Sequence, residues 1–262
     1  MPLDRFRQAK ADELAHLHNH PPTAFFQGVR PAFIWDDNTS GGTGAISIIA
    51  EYKRASPSRG VINAHITPSE IARLYTEGGA QAISVLTEKK YFGGELGFLH
   101  EIAQHTHLPL LRKDFIFDDL QVRDTATTPA SALLLIAALT PDASQLRDLR
   151  QLAESFGIEA VVEIFNEAEL ETAREAGARI IQVNNRNLET LAMDMSTTLR
   201  LICQRLSGER WIAASGIDSH EALTRLAGYD AALIGSALMS DQNPKQALAS
   251  IIKQGVFKTF GL

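Results

Sequence analysis

The sequence predicts an α/β protein, a single (β/α)8 TIM barrel with an N-terminal helical extension, and three observations lead there. From Ile46 onward, short runs of β-branched residues and leucine alternate with longer stretches of helical spacing. Eight such runs occur. They are apolar on both faces, as parallel strands covered by helices must be, and a count of eight favours closure over an open sheet.

The first 45 residues stand outside this repeat. An amphipathic helix is expected around Leu3 to Leu17, followed by the turn-rich HNHPPTAFFQGVRPAFIWDDNTSGGTGA. Residues 1–45 therefore read as an extension and linker attached to one barrel domain over 46–262. TSGGTG reads as a mobile stretch: a glycine-rich phosphate cradle needs a strand before it and a helix after it, and here a strand follows. The strands are ISIIAE (46–51), AISVL (82–86), LPLLRK (108–113), SALLLI (131–136), EAVVE (159–163), RIIQVN (179–184), RWIAA (210–214) and AALIG (231–235). Between them, Thr67-Pro68-Ser69-Glu70 opens a helix with an N-cap threonine and proline at its first position, and Gly78-Gly79 closes it. Asn166 starts a helix that stops at Gly177, and Asp218-Ser219-His220-Glu221 starts one that runs towards Gly228.

Composition narrows the function. Hydrophobic residues at 45% and charged ones at 21% suit a large buried core and exclude a disordered chain. A net charge of −6 argues against a nucleic-acid partner, which calls for a basic face. The single cysteine, Cys203, allows neither an intramolecular disulfide nor a thiolate metal cluster, so the cytoplasm is the expected compartment. The charged N-terminus is not expected to be a secretory signal, and no apolar run reaches the roughly 18 residues of a membrane span.

In a parallel barrel the carboxyl ends of the strands share one face, where active sites are assembled. Those ends carry Glu51 and Lys53, Lys113, Glu163, Asn184 and Arg186, Ser215-Gly216, and Gly235-Ser236. A lone strand-end lysine or glutamate is usually just solvated. Two of each, with an amide, make a site. The matched Ser-Gly and Gly-Ser pairs after the seventh and eighth strands suit a phosphate held by backbone N–H groups, because glycine lets the chain approach the oxygens. A phosphorylated small molecule follows as ligand. Phe92, Phe115, Leu188 and Leu191 lie just past strand ends, where packing is the ordinary role; beside a charged mouth they suit an aromatic ring. His16-Leu17-His18-Asn19-His20 resembles a metal-binding HxH but precedes the first strand, so these read as surface histidines. Ser56-Pro57-Ser58-Arg59-Gly60 has the length and polarity of a mobile lid, although an inert loop is the simpler account.

Taken in order, IIAEYKRASPSRG, ISVLTEKKYFGG, LPLLRKDFIF, VVEIFNEAEL and VNNRNLET closely resemble the indole-3-glycerol-phosphate synthase family, over roughly Ile46 to Met239. The resemblance implies a (β/α)8 barrel with an N-terminal helical segment. It also implies decarboxylating and dehydrating ring closure of 1-(2-carboxyphenylamino)-1-deoxyribulose 5-phosphate in tryptophan biosynthesis. Carried over by motif, Lys113 is the general acid at the ketone oxygen, Lys53 assists and binds an anionic group, and Glu163 serves the later dehydration as base or acid. Glu51 and Asn184 orient these groups, and Arg186 lies near the anthranilate moiety. Phe92, Phe115, Leu188 and Leu191 belong with the substrate ring, Ser215, Gly216, Gly235 and Ser236 with its phosphate, and Ser56 and Pro57 also count among the substrate-binding residues. No metal or other cofactor is implied. A monomer is expected, with association with other tryptophan-pathway enzymes open.

An ammonium supplies the protons that ring closure needs. The competing chemistry is an imine on Lys113. Two crowded lysines depress each other while glutamates oppose this, and the sequence does not sign the balance. One departure stands out: the family usually has glutamate where this chain has Ala214 before Ser215-Gly216. Either Glu163 and Glu51 suffice with reduced turnover, in which case Ala214→Glu raises kcat, or the chain is a diverged, non-catalytic binder of a phosphate ligand. Asn187 in place of an aspartate, and PASA before LLLI, are smaller variations. The other rival is a phosphoribosylanthranilate isomerase-like barrel, but Glu51-Tyr52-Lys53 and Arg112-Lys113-Asp114 follow the synthase pattern.

Overall fold

A computed structural model describes residues 3–33 and 46–253. Its centre is a closed barrel of eight parallel strands: β1 (Ser47–Tyr52), β2 (Ala82–Leu86), β3 (Leu110–Ile116), β4 (Ala132–Ile136), β5 (Glu159–Ile164), β6 (Ile180–Asn184), β7 (Arg210–Ala214) and β8 (Ala231–Ile234). Each strand pairs with its sequence neighbours, and β8 returns to β1 with Ser47 opposite Ala231 and Ala50 opposite Ile234. The expected TSGGTG stretch lies outside the described residues.

Around the strands run α1 (Asp4–Ala9), α2 (Ala11–Asn19), α3 (Pro68–Gly78), α4 (Lys89–Phe92), α5 (Gly97–Ala103), α6 (Asp119–Ala126), α7 (Ala143–Ser155), α8 (Glu167–Glu175), α9 (Ser196–Leu201), α10 (His220–Thr224), α11 (Ser236–Met239) and α12 (Pro244–Lys253). Their starts follow local chemistry. Thr67 caps α3 in a reciprocal capping box with Glu70, and Gly79 ends that helix at φ 92. Asp118, Asp142, Asn166 and Ser219 cap α6, α7, α8 and α10, each side chain accepting one backbone N–H of the first turn. Among the described residues, no helix is long and apolar enough to cross a membrane.

Alternation along the strands splits the core in two. Outward residues such as Ile83, Leu133 and Val162 pack beneath the helices, while Ile49, Leu111, Leu134, Val161 and Ile212 fill the barrel interior. Three elements differ from the sequence reading. The N-terminal helix is two helices broken at Lys10, whose side chain is drawn into a buried ion pair with Asp114 at 2.9 Å. β3 starts after Pro109, which lacks an N–H, and continues to Ile116 because a register shift between Arg112 and Ile116 restores its pairing with β4. α10 stops at Thr224, short of Gly228.

Candidate active site

The carboxyl ends of the strands surround a cavity of about 500 Å³. β1 delivers Glu51, 1% exposed, into its floor, and the alternation of β3 turns Lys113 inward to meet it. Glu51 Oε2 accepts from Lys113 Nζ at 2.7 Å and Oε1 from Lys53 Nζ at 2.6 Å. One carboxylate thus holds two ammonium groups side by side. Burial on its own would raise the Glu51 pKa, but Lys113 and Lys53 outweigh it and bring the group to about 2. Burial would likewise lower Lys113, yet Glu51 and Glu163 reverse this and hold it above its ordinary value. That signs the balance which the sequence left open for Lys113.

Glu163, next to last in β5, lines the same cavity and is 5% exposed; its Oε2 accepts from Gln182 Nε2 at 2.5 Å. Asn184, at the end of β6, accepts the Arg186 N–H through Oδ1 and so sets the turn that follows. Arg186 Nη1 donates to the Leu191 carbonyl at 2.9 Å, folding residues 186–193 into a loop that presents Leu188 and Leu191 to the cavity. Burial, and then the Arg59 cation, push the Arg186 guanidinium below its usual value.

The aromatic wall is Phe92 and Phe115, with ring centroids 6.1 Å apart. Glu88 sets Phe92 by accepting the backbone N–H groups of Lys90, Tyr91 and Phe92 at the start of α4. After β7, Ser215 and Gly216 line the same cavity and both adopt positive φ, 68° and 76°. That conformation is costly for serine and persists only where neighbours hold it. The buried amide of Asn185 holds it, donating to the Ser215 carbonyl at 3.0 Å. Gly235 and Ser236 complete this side, where β8 passes into α11. A Cβ at Gly235 would stand 2.2 Å from Glu51 Oε1, so this glycine makes room for the carboxylate.

All the residues singled out at strand ends line this one cavity, as do Ser56 and Pro57. The Ser56–Gly60 segment is a two-stranded hairpin, Ala55–Ser56 against Gly60–Val61, instead of an irregular loop; Ser56 Oγ accepts the Arg59 N–H and Gly60 takes φ 64. His16, His18 and His20 are exposed, with His16 stacked on His20. Among the described residues, no three His, Cys, Asp or Glu side chains are grouped for a metal ion.

The sequence reading missed four contributors. Phe6 of α1 reaches the cavity and packs on Phe115 at 4.3 Å; its place on the apolar face of the expected helix was the available signal. Arg59 lines the mouth from the hairpin tip. Glu88 follows β2 and could have been found by the strand-end rule. Gln182 lies mid-strand, and nothing in the local sequence points to it.

Comparison with known proteins gives the same direction. A family profile described as indole-3-glycerol phosphate synthase matches residues 3–251. The indole-3-glycerol phosphate synthase of Chlorobaculum tepidum is 39% identical over 93% of this chain and 97% of its own length. That of Chlorobium phaeovibrioides is 44% identical over 90% and 93%. Among solved structures, 3-hexulose-6-phosphate synthase from Salmonella typhimurium superposes with a TM-score of 0.62 at 16% identity, covering 80% of this chain and 99% of that one. At that identity the likeness concerns the barrel alone.

Proposed function

Because the chain belongs to the indole-3-glycerol phosphate synthase family, a carboxy-lyase of tryptophan biosynthesis, we propose that the Glu51-bridged lysine pair and Glu163 divide the acid–base work of its ring closure. The carrying observation is that one buried carboxylate sits within 2.7 Å of both Nζ atoms while Glu163 faces the same cavity. The substrate is 1-(2-carboxyphenylamino)-1-deoxyribulose 5-phosphate. Its phosphate lies against Ser215-Gly216 and Gly235-Ser236, and its ring against Phe92, Phe115, Leu188 and Leu191, with Ser56 and Pro57 over it and Arg186 at the anthranilate carboxylate.

The ring carbon bearing that carboxylate attacks the ketone carbon, and Lys113 gives its proton to the ketone oxygen, which becomes a hydroxyl. Breaking the bond to the carboxylate releases CO2 and returns its electrons to the ring. The hydroxyl then leaves as water, taking one proton from an ammonium while Glu163 accepts one from the substrate, and the pyrrole is complete. Lys53 assists by binding an anionic group, and Asn184 orients the loop at Arg186. Glu51, with its pKa near 2, stays ionised and orients the two ammoniums without giving up a proton. An imine at Lys113 needs a neutral amine, and a lysine held above its usual pKa supplies an ammonium instead.

The test is incubation with the carboxyphenylamino-deoxyribulose phosphate, following CO2 and the fluorescent indole product, with borohydride added in a parallel sample. Product without a trapped adduct is expected; a stable adduct at Lys113 would overturn the general-acid role, and saturable binding without turnover would overturn the catalytic one. We also assign residues 1–45 to an appendage of one barrel domain over 46–262. The protein works in the cytoplasm as a monomer, open to association with other enzymes of the pathway.

A further inference from the structure

Gln182 sits mid-strand on β6, points into the barrel and is 0% exposed. Burying an amide is costly unless both of its ends find partners. One end does: Nε2 donates to Glu163 Oε2. The other, Oε1, has no hydrogen-bond partner. In the barrel wall Gln182 is in register with Glu163 on β5 and with Ile212 on β7, and Ala214 lies two residues beyond Ile212. Ile212 and Ala214 carry no polar side-chain atom. The side chain is therefore matched to one thing, the carboxylate of Glu163. Packing alone does not ask for it, since methionine fills a similar volume and leaves no acceptor unmet.

We infer that Gln182 is a positioning residue for Glu163, an amide whose N–H holds the carboxylate when it is ionised and whose carbonyl, after a half-turn, receives the proton of the carboxylic acid. The inference rests on the proton-handling role proposed above for Glu163. A group that accepts a proton and later returns it needs a neighbour compatible with both states, and an amide presents donor and acceptor in nearly the same shape. A hydrogen bond to the charged carboxylate is about twice as strong as one to a neutral group. Loss of the amide therefore disfavours the ionised form. The other charges around Glu163 are Lys113 on β3, Glu51 and Lys53 from β1 and its loop, Glu169 on α8, and Arg186 and Glu189 after β6. Substitution at 182 leaves all of them in place.

The test measures kcat/KM for indole formation across the acidic and neutral range in the wild type, Gln182→Met and Gln182→Glu, with thermal melting as a check on folding. In Gln182→Met the acidic limb is expected to move up by about one pH unit. In Gln182→Glu it moves further, because two carboxylates at hydrogen-bond distance share one proton. Limbs that superimpose on the wild type, with rates lowered uniformly, would reduce Gln182 to packing and overturn the inference. If one variant does not fold, the other decides by the same criterion. A wild type that does not turn over defeats the reading of the site itself, whereas wild-type turnover with unmoved limbs defeats only the role of Gln182.

Discussion

Lys113 and Asp114 are consecutive on β3, and each belongs to a cluster in which one carboxylate meets two cations. Glu51 holds Lys53 and Lys113; Asp114 holds Lys10 and Arg112 at 2.9 and 3.2 Å. The two clusters differ in how full and how reachable they are. Asp114 accepts four donors, with Thr87 Oγ1 and the Phe115 N–H completing its acceptor capacity, and its cations are 1–2% exposed. Glu51 receives one donor from each lysine, and these lysines keep 14% and 18% exposure. The saturated cluster fastens α2 to the barrel. The unsaturated one, open on the cavity, leaves charge available to a substrate.

Four measurements break or sharpen this contrast. Lys113→Met is expected to cut kcat by about 10³-fold or more, with the unfolding free energy changed far less, because Glu51 keeps Lys53. If the two quantities fall together, the clusters are not different in kind. Asp114→Ala removes the one carboxylate that joins two buried cations, leaving Lys10 with Glu13 and Arg112 with Asp124 and Glu13, and is expected to cost about 3 kcal/mol in a urea titration; a loss below about 1 kcal/mol would show that the sealed cluster is not a fastening.

The third is acid unfolding. Glu51 has its folded pKa lowered from 4.5 to about 2, so its contribution of about 3 kcal/mol is fully present above 4.5 and is lost as pH falls towards 2. Asp114, also lowered, adds to the same acid limb. Lys113, raised above 10.5, has the opposite sign: its contribution is present below that value and is lost as pH rises through the raised one. Glu51→Gln should therefore flatten the acid limb of stability against pH, and an unchanged slope would remove Glu51 from the account. Smallest is Gly235→Ala. A methyl 2.2 Å from Glu51 Oε1 must displace that carboxylate, and a shift of about 1 Å in a catalytic group costs about 10²-fold in rate. Crystallography of the variant should show Glu51 moved and Asp114 untouched.

Much of this was readable before any coordinates. β2 and β7 have the bounds that the apolar runs suggest, and the strand-end rule reaches Glu51, Lys113, Glu163 and Asn184 because it depends only on chain direction in a parallel barrel. What stayed hidden depends on contacts distant in sequence. Lys10 looks like a solvated helical lysine until Asp114 is placed beside it, at the point where the two N-terminal helices part. Gln182 looks like a polar interruption of an apolar strand until Glu163 is set in register with it. Gly235 was legible as a place where a backbone could approach a phosphate. That it also clears space for Glu51 could be read only with the last strand laid against the first.

That seam has a consequence of its own. β1 and β8 meet only when the ring shuts, and it is there that Glu51 gains the empty side of Gly235 as its wall. Turnover is thus a reporter of ring closure: a chain with seven strands assembled and the eighth astray would hold much of its secondary structure yet leave its lysine bridge unbraced. In any attempt to permute this chain, or to rebuild it from two separately made halves, recovery of the reaction would mark the completed circle more sharply than recovery of helical signal.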